Sequence, residues 1–378
     1  MSRNTRKRRI GDQSERAGIF ASVKANRALV VLGILALMTI SWAAISNRRA
    51  ANNSLTSTTS MPPGTPPPMP ANAPAREYIH AGSALISTVE PFRVPPSDVA
   101  VWRPSERMFY VLNSTGGWIS YQWGSCSPPT TCDIPAPGDY DGDGKTDFCV
   151  FRPSTSTWYI VNSSNGSIQY DTYGTAGDKP VPADYDGDGR SDVAVWRSSD
   201  LTWYIHKSSD GGYLNTQFGI AGDVAAPGDF DGDGKTDHAV WRGGSAPSTF
   251  HVKKSSDGQP ISYSIGQNGD EPVVGDYDGD GKADYAVRRP STGTWLTYSS
   301  STNNVTTTQW GVSSDIAVPA RYTDTEDTDA KTDIAVWRPS NGVWYILRSS
   351  NGNPRYVQWG MCPTPATCDI PVPANWRR

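Results

Sequence analysis

Charge is scarce in this chain of 378 residues: Asp, Glu, Lys and Arg make up 19% of it. That is too little for the Ala-, Glu- and Lys-rich profile of a coiled coil or helical bundle. Histidine is scarcer, with four residues (His80, His206, His238 and His251) and no two at a ligand spacing, so nothing points to a histidine-based metal or acid–base site. No Ser- or Cys-centred catalytic motif stands out. Positive charge is missing where nucleic acid would need it. Residues 1–49 hold 10 Lys and Arg against Asp12 and Glu15, a net +8, whereas the remainder nets −12. A body that acidic argues against nucleic acid as a partner and suits cations.

Only one long hydrophobic run occurs. Residues 28–46, ALVVLGILALMTISWAAIS, carry no charge. As a helix, 19 residues reach ~28 Å, about the thickness of a bilayer core. The cationic lead 1–27 is expected to be cytoplasmic and the rest extracytoplasmic, by the positive-inside rule. Residues 28–46 therefore read as a transmembrane signal anchor; cleavage near Ala44-Ile45-Ser46, giving a secreted form, is the alternative. Residues 47–76, centred on MPPGTPPPMPANAP, form a Pro/Ser/Thr-rich spacer. Residues 77–97 look like short lead-in strands.

Glycine (36), proline (30), tryptophan (14) and tyrosine (17) are plentiful instead. They recur in register from residue 98 to residue 378. One phrase appears six times: DVAVWRP at 98, DFCVFRP at 147, DVAVWRS at 192, DHAVWRG at 237, DYAVRRP at 284 and DIAVWRP at 333. Three more phrases follow each copy, as in Trp158-Tyr159, then Thr172-Tyr173-Gly174, then PVPADY. Each is short, apolar and partly β-branched, and turns such as Ser-Ser-Asn-Gly separate them, which reads as four strands per unit. Four strands in ~45 residues match a blade of a β-propeller. The array begins at the second strand type and ends at the first, so strand 369–376 is expected to complete the sheet that starts at 98. The fold class is all-β, a β-propeller of six four-stranded blades; a seventh follows if 77–97 contributes strands.

A loop of alternating aspartates precedes four of the copies: DYDGDGKTD at 139–147, DYDGDGRSD at 184–192, DFDGDGKTD at 229–237 and DYDGDGKAD at 276–284. Carboxylates at positions 1, 3, 5 and 9, with the position-7 carbonyl, can converge on one hard cation, and oxygen-only ligation suits Ca²⁺. The expected ligands are Asp139, Asp141, Asp143, the Lys145 carbonyl and Asp147. In the other loops they are Asp184, Asp186, Asp188 and Asp192; Asp229, Asp231, Asp233 and Asp237; and Asp276, Asp278, Asp280 and Asp284. About four Ca²⁺ ions follow. The fifth loop, RYTDTEDTDAKTD (321–333), lacks the DGDG core, though Asp327, Asp329 and Asp333 are acidic.

Loops such as DYDGDGKTD, followed by phrases such as DIAVWRP, resemble FG-GAP/VCBS repeats, the calcium-loop blades also found in integrin α-subunit heads. The resemblance covers about residues 98–378. It implies a propeller with calcium at loop positions 1, 3, 5 and 9, and a role in binding or adhesion toward a glycan or protein ligand. A hydrolase or lyase acting on polysaccharide and a scaffold of an envelope assembly are the competing readings.

Cys126 and Cys132 flank SPPTT, and Cys362 and Cys368 flank PTPAT at the same point of the repeat. In an oxidising compartment each pair can clip its own loop; a zinc site is the rival. Cys149 stands where other copies have Ala, so it reads as an inert core thiol. The recurring Trp residues are expected to fill the wedge between blades rather than to serve as sugar platforms.

Overall fold

The computed structural model describes residues 97–114, 116–126, 132–244, 246–322 and 329–374. The cationic lead 1–27, expected to be cytoplasmic, the apolar run 28–46, the spacer and residues 77–96 lie outside them. Among the described residues no helix is long and apolar enough to cross a membrane.

Six four-stranded antiparallel sheets follow one another along the chain. In blade 2 the strands are Ile134–Pro135, Phe148–Arg152, Thr157–Val161 and Ile168–Thr172, hydrogen-bonded in that order. Blades 3 to 6 repeat the arrangement over 179–217, 224–264, 271–309 and 316–358. Blade 1 is a composite. Its strands Val99–Arg103, Met108–Leu112 and Trp118–Gln122 are completed by Ile370–Pro371 from the other end of the chain. The closing pairing, Val101 with Pro371 and Trp102 with Ile370, is continued by the bridge between Asp98 and Ala374. It spans two residues, as the inner strands of the other blades do, rather than the expected 369–376, of which 375 and 376 lie outside the described residues.

Burial follows from position in the blade. The second strands, such as Val193–Arg197, are buried at four of five residues, because other blades cover both faces. Such strands must read as continuous apolar runs, hence VAVW. The third strands alternate, and the outer strands, such as Ile168–Thr172, are largely exposed. Trp102, Trp158, Trp203, Trp295, Trp337 and Trp344 are fully buried, as the wedge-filling role requires. Truncating one to Ala costs about 3–5 kcal/mol.

Successive blades are tied by recurring contacts. Trp123 Nε1 in blade 1 donates to the Tyr159 carbonyl in blade 2 at 2.8 Å, and Trp359 Nε1 in blade 6 donates to the Tyr110 carbonyl in blade 1 at 3.0 Å. Gly360 lies at φ +100°, and a Cβ there would sit 3.1 Å from Val101 Cγ1. Glycine is needed for both the left-handed backbone and the close approach of blade 6 to blade 1.

A second device recurs six times. The Arg ending each second strand makes a two-pronged ion pair with an Asp just before the inner strand: Arg103–Asp369, Arg152–Asp133, Arg197–Asp178, Arg242–Asp223, Arg289–Asp270 and Arg338–Asp315. These Asp side chains are 0–1% exposed. Each also accepts a backbone N–H, such as Ser125 N to Asp133 Oδ2 at 2.6 Å. The buried charge is thus paired and hydrogen-bonded, which its burial demands. In four blades a Tyr ring lies beneath the guanidinium, at 4.1–4.5 Å.

Cys126 is bridged to Cys132 and Cys362 to Cys368, whereas Cys149 is a free, buried thiol. Burial pushes the Cys149 thiol far up, so it stays protonated and unreactive.

Candidate metal centre

Each intact aspartate loop joins the inner strand of a blade to its second strand. The position-1 carboxylate organises the turn. Asp139 accepts from Gly142 N at 2.7 Å and Gly144 N at 2.8 Å, and both glycines have positive φ, which lets their N–H groups point inward. The position-9 carboxylate is the buried anchor. Asp147 accepts from Tyr140 N at 2.8 Å and from Ser163 N at 2.5 Å.

The Ser163 contact belongs to a pattern that the sequence reading took only as a turn. Position 9 of every blade receives such an N–H: Asp98 from Ser114, Asp147 from Ser163, Asp192 from Ser208, Asp237 from Ser255, Asp284 from Ser300 and Asp333 from Ser349. Within the Ser-Ser turns the next hydroxyl reaches position 3, as Ser164 Oγ does to Asp141 at 2.6 Å and Ser209 Oγ to Asp186 at 2.6 Å. The repetition of Ser-Ser after the third strand of blades 2 to 6, with Ser114-Thr115 in blade 1, was the available signal.

The outcome is four carboxylate triads: Asp139, Asp141 and Asp147; Asp184, Asp186 and Asp192; Asp229, Asp231 and Asp237; and Asp276, Asp278 and Asp284. One oxygen from each member lies within 4.8 Å of the others. The position-5 residues Asp143, Asp188, Asp233 and Asp280 stand outside these triads. Asp143 accepts from Ser163 Oγ at 2.7 Å and Lys145 N at 2.9 Å, and Asp188 is paired with Arg190 at 2.7 Å.

Packing three carboxylates this closely is costly without a cation. Two charges at this separation repel by about 3 kcal/mol at an effective dielectric near 20. Burial, with the position-3 charge adding to it, pushes Asp147, Asp192, Asp237 and Asp284 up to about 7. Burial also raises Asp139, Asp184, Asp229 and Asp276. In the second loop Asp186 Oδ1 is buried with no hydrogen-bond partner. An all-oxygen donor set with an orphaned carboxylate oxygen fits a hard divalent cation.

The fifth loop is built differently. Arg321 replaces the position-1 Asp, and its Nε donates to the Asp329 carbonyl at 2.7 Å. Asp329 and Asp333 share the Ser349 hydroxyl, at 2.9 and 2.8 Å. Asp327 lies outside the described residues.

Neighbouring loops are also joined in a chain around the ring. At five of the six junctions the residue before position 9 donates its N–H to the position-1 carbonyl of the preceding loop: Ser191 to Asp139, Thr236 to Asp184, Ala283 to Asp229, Thr332 to Asp276 and Ser97 to Arg321, at 2.6–2.8 Å. A cation ordering one loop therefore acts on a backbone hydrogen-bonded to the next.

Fold and site together define a closed β-propeller with acidic turns built into its blades. Residues 184–240 match the FG-GAP-like repeat, and the matched unit recurs around the six blades. The chain is a six-bladed β-propeller that carries a match to the FG-GAP-like repeat in residues 184–240. No curated protein matches it in sequence. Among solved structures it is similar to a catalytically inactive virginiamycin B lyase from Staphylococcus aureus, at 12% identity and a TM-score of 0.43, covering 70% of this chain and 86% of that one. A streptogramin B lyase (10% identity, TM-score 0.44) is matched over 71% of this chain and 85% of its own. AztD from Citrobacter koseri (10%, 0.36) is matched over 75% and 98%. Likeness at this level says nothing of what the chain binds or catalyses.

Proposed function

We propose that this protein is an extracytoplasmic, calcium-stabilised propeller that acts as a binding or adhesion module for a glycan or protein ligand. The four repeated carboxylate triads support it most directly, since each gathers buried negative charge that a cation would neutralise. Asp139, Asp141 and Asp147 and their counterparts would hold Ca²⁺; a bound ion would supply charge neutralisation and rigidity. The chain's own residues do the rest: glycine N–H groups orient position 1, and the Ser-Ser turns fix positions 3 and 9. The membrane placement rests on residues 28–46, and the two local disulfides accord with an oxidising compartment. The six buried Asp of the ion pairs and the loop aspartates are committed to structure, which favours binding over catalysis.

The test is a glycan and protein array probed with the full chain in detergent, with calcium and after its removal. Calcium-dependent retention of a defined ligand supports the proposal. Turnover of a polysaccharide substrate without stable binding would replace it with the hydrolase or lyase reading.

A further inference from the structure

The repeat provides its own control for one unusual place, the slot between blades 3 and 4. At most blade junctions two large rings fill the slot. One is the third-phrase aromatic, such as Trp123, Tyr173, Trp310 or Trp359. The other is the Tyr of the next blade, such as Tyr159, Tyr204, Tyr345 or Tyr110, which lies under an arginine. At the junction of blades 3 and 4 both are smaller, Phe218 and His251. At the next junction, between blades 4 and 5, the pair is Ile265 and Leu296, and there Tyr263 packs against Tyr298 at 4.0 Å. Between blades 3 and 4 a cleft of about 350 Å³ remains instead, lined by Leu201, Gln217, Phe218, Arg242, His251 and Ser262 among others. That is the volume of a small-ligand site.

Arg242 is the one charged side chain in the lining. Its partner Asp223 is fully buried behind it, whereas Arg242 is 30% exposed, so the cleft faces the cation. Asp223 engages Nε and Nη2, leaving Nη1. In blades 1 and 3 the equivalent Nη1 meets a carboxylate of the following turn, Glu106 at 3.3 Å and Asp200 at 3.5 Å. The turn in blade 4, residues 243–248 (GGSAPS), contains no acid. Blade 4 therefore lacks both the ring that lies under the arginine in four blades and the carboxylate that meets it in blades 1 and 3. Blade 5, with Leu296 and no acid in its turn 290–293, shares both gaps, but there Tyr263 and Tyr298 pack together. Polar groups stand beside the gap: His251 Nδ1 and Ser262 Oγ are hydrogen-bonded at 2.8 Å, and Gln217 lines the opposite wall. Burial, and then Arg242, lower the His251 pKa, so its ring is neutral at neutral pH.

We propose that this cleft binds a hexuronate unit of an acidic glycan. The sugar carboxylate would take Arg242 Nη1, its hydroxyls would meet His251, Ser262 and Gln217, and its apolar face would lie on Phe218 and Leu201. This rests on the glycan side of the binding reading and gives it a site and a ligand class.

The experiment titrates the full chain, in calcium, with a glucuronate-containing trisaccharide and with its neutral counterpart. It then repeats the titration on His251→Tyr and Phe218→Trp, each of which restores the residue type used at other junctions. Melting curves check that both variants stay folded. The expected result is binding of the acidic sugar, at least tenfold weaker binding of the neutral one, and at least a tenfold loss in both variants. Equal binding by the variants overturns this site and leaves the glycan reading standing. Equal binding of the neutral sugar overturns the assignment of a carboxylate to Arg242. If no glycan binds and a protein ligand is found on the array, the glycan reading falls and the inference with it.

Discussion

Replacing Asp369 with Ala removes the ion pair that ties the two ends of the chain. Asp369 accepts from Arg103 Nε at 2.7 Å, Arg103 Nη2 at 2.9 Å and Met361 N at 2.8 Å, and its side chain is 0% exposed. Removing one partner of a buried pair costs about 3–5 kcal/mol, mostly because the remaining charge is left uncompensated. Arg103 is 11% exposed and keeps a contact to Glu106 at 3.3 Å, which places the loss near ~3 kcal/mol. With an unfolding entropy of about 2.1 cal/mol/K per residue over some 280 residues, that corresponds to a fall in Tm of about 5 °C. Asp178→Ala in blade 3 is the comparison: the same local pair is lost, but across 19 residues instead of 266. Both variants should melt earlier in calcium by circular dichroism. Only Asp369→Ala should also make the C-terminal strand an early site of proteolysis, because the ring opens there. Tm values within about 1 °C of wild type for both would refute the reasoning and reduce these pairs to surface salt bridges worth ~0–1 kcal/mol.

Calorimetric titration of the full chain should find about four calcium ions, and Asp186→Asn with Asp192→Asn should remove about one; a wild type that takes up none would reduce the loops to turns. The position-9 carboxylates, pushed up to about 7 in the fold against 3.8 unfolded, contribute stability that is full below about pH 4 and is lost as pH rises through 7. Decalcified protein should therefore melt at a higher temperature at pH 5 than at pH 8, and saturating calcium should reverse the order; a pH-independent Tm without calcium contradicts the clustering. His238 has the opposite sign: burial, and secondarily Lys253, push it down to about 4, so its contribution is full above pH 6.5 and lost as pH falls through 4. His238→Phe, the residue of Phe148 at the same repeat position, should flatten that acid loss in denaturant melts and also remove the unpartnered Nε2; an unchanged acid slope would show that other groups set it.

The four-stranded blade unit, strand order within a blade and the position of the acidic loops were legible in the sequence because each is a local property repeated at a fixed period, whereas six blades against seven was left open. A strand buried on both faces must be an unbroken apolar run, and an Asp-Gly loop needs its glycines wherever it occurs. Ring closure was legible too, since the array starts at one strand type and ends at another. What joins distant segments was decided only in three dimensions. The Arg–Asp pairs recur plainly in the text, as the Asp before each inner strand, yet nothing in one repeat says that Asp133 and Arg152 meet, still less Arg103 and Asp369. The triads of positions 1, 3 and 9, without position 5, depend on Ser-Ser turns two strands away. The cleft between blades 3 and 4 exists only because Phe218 from one blade and His251 from the next face the same slot. Each substitution is unremarkable alone, and the space they leave is a property of the packing between blades.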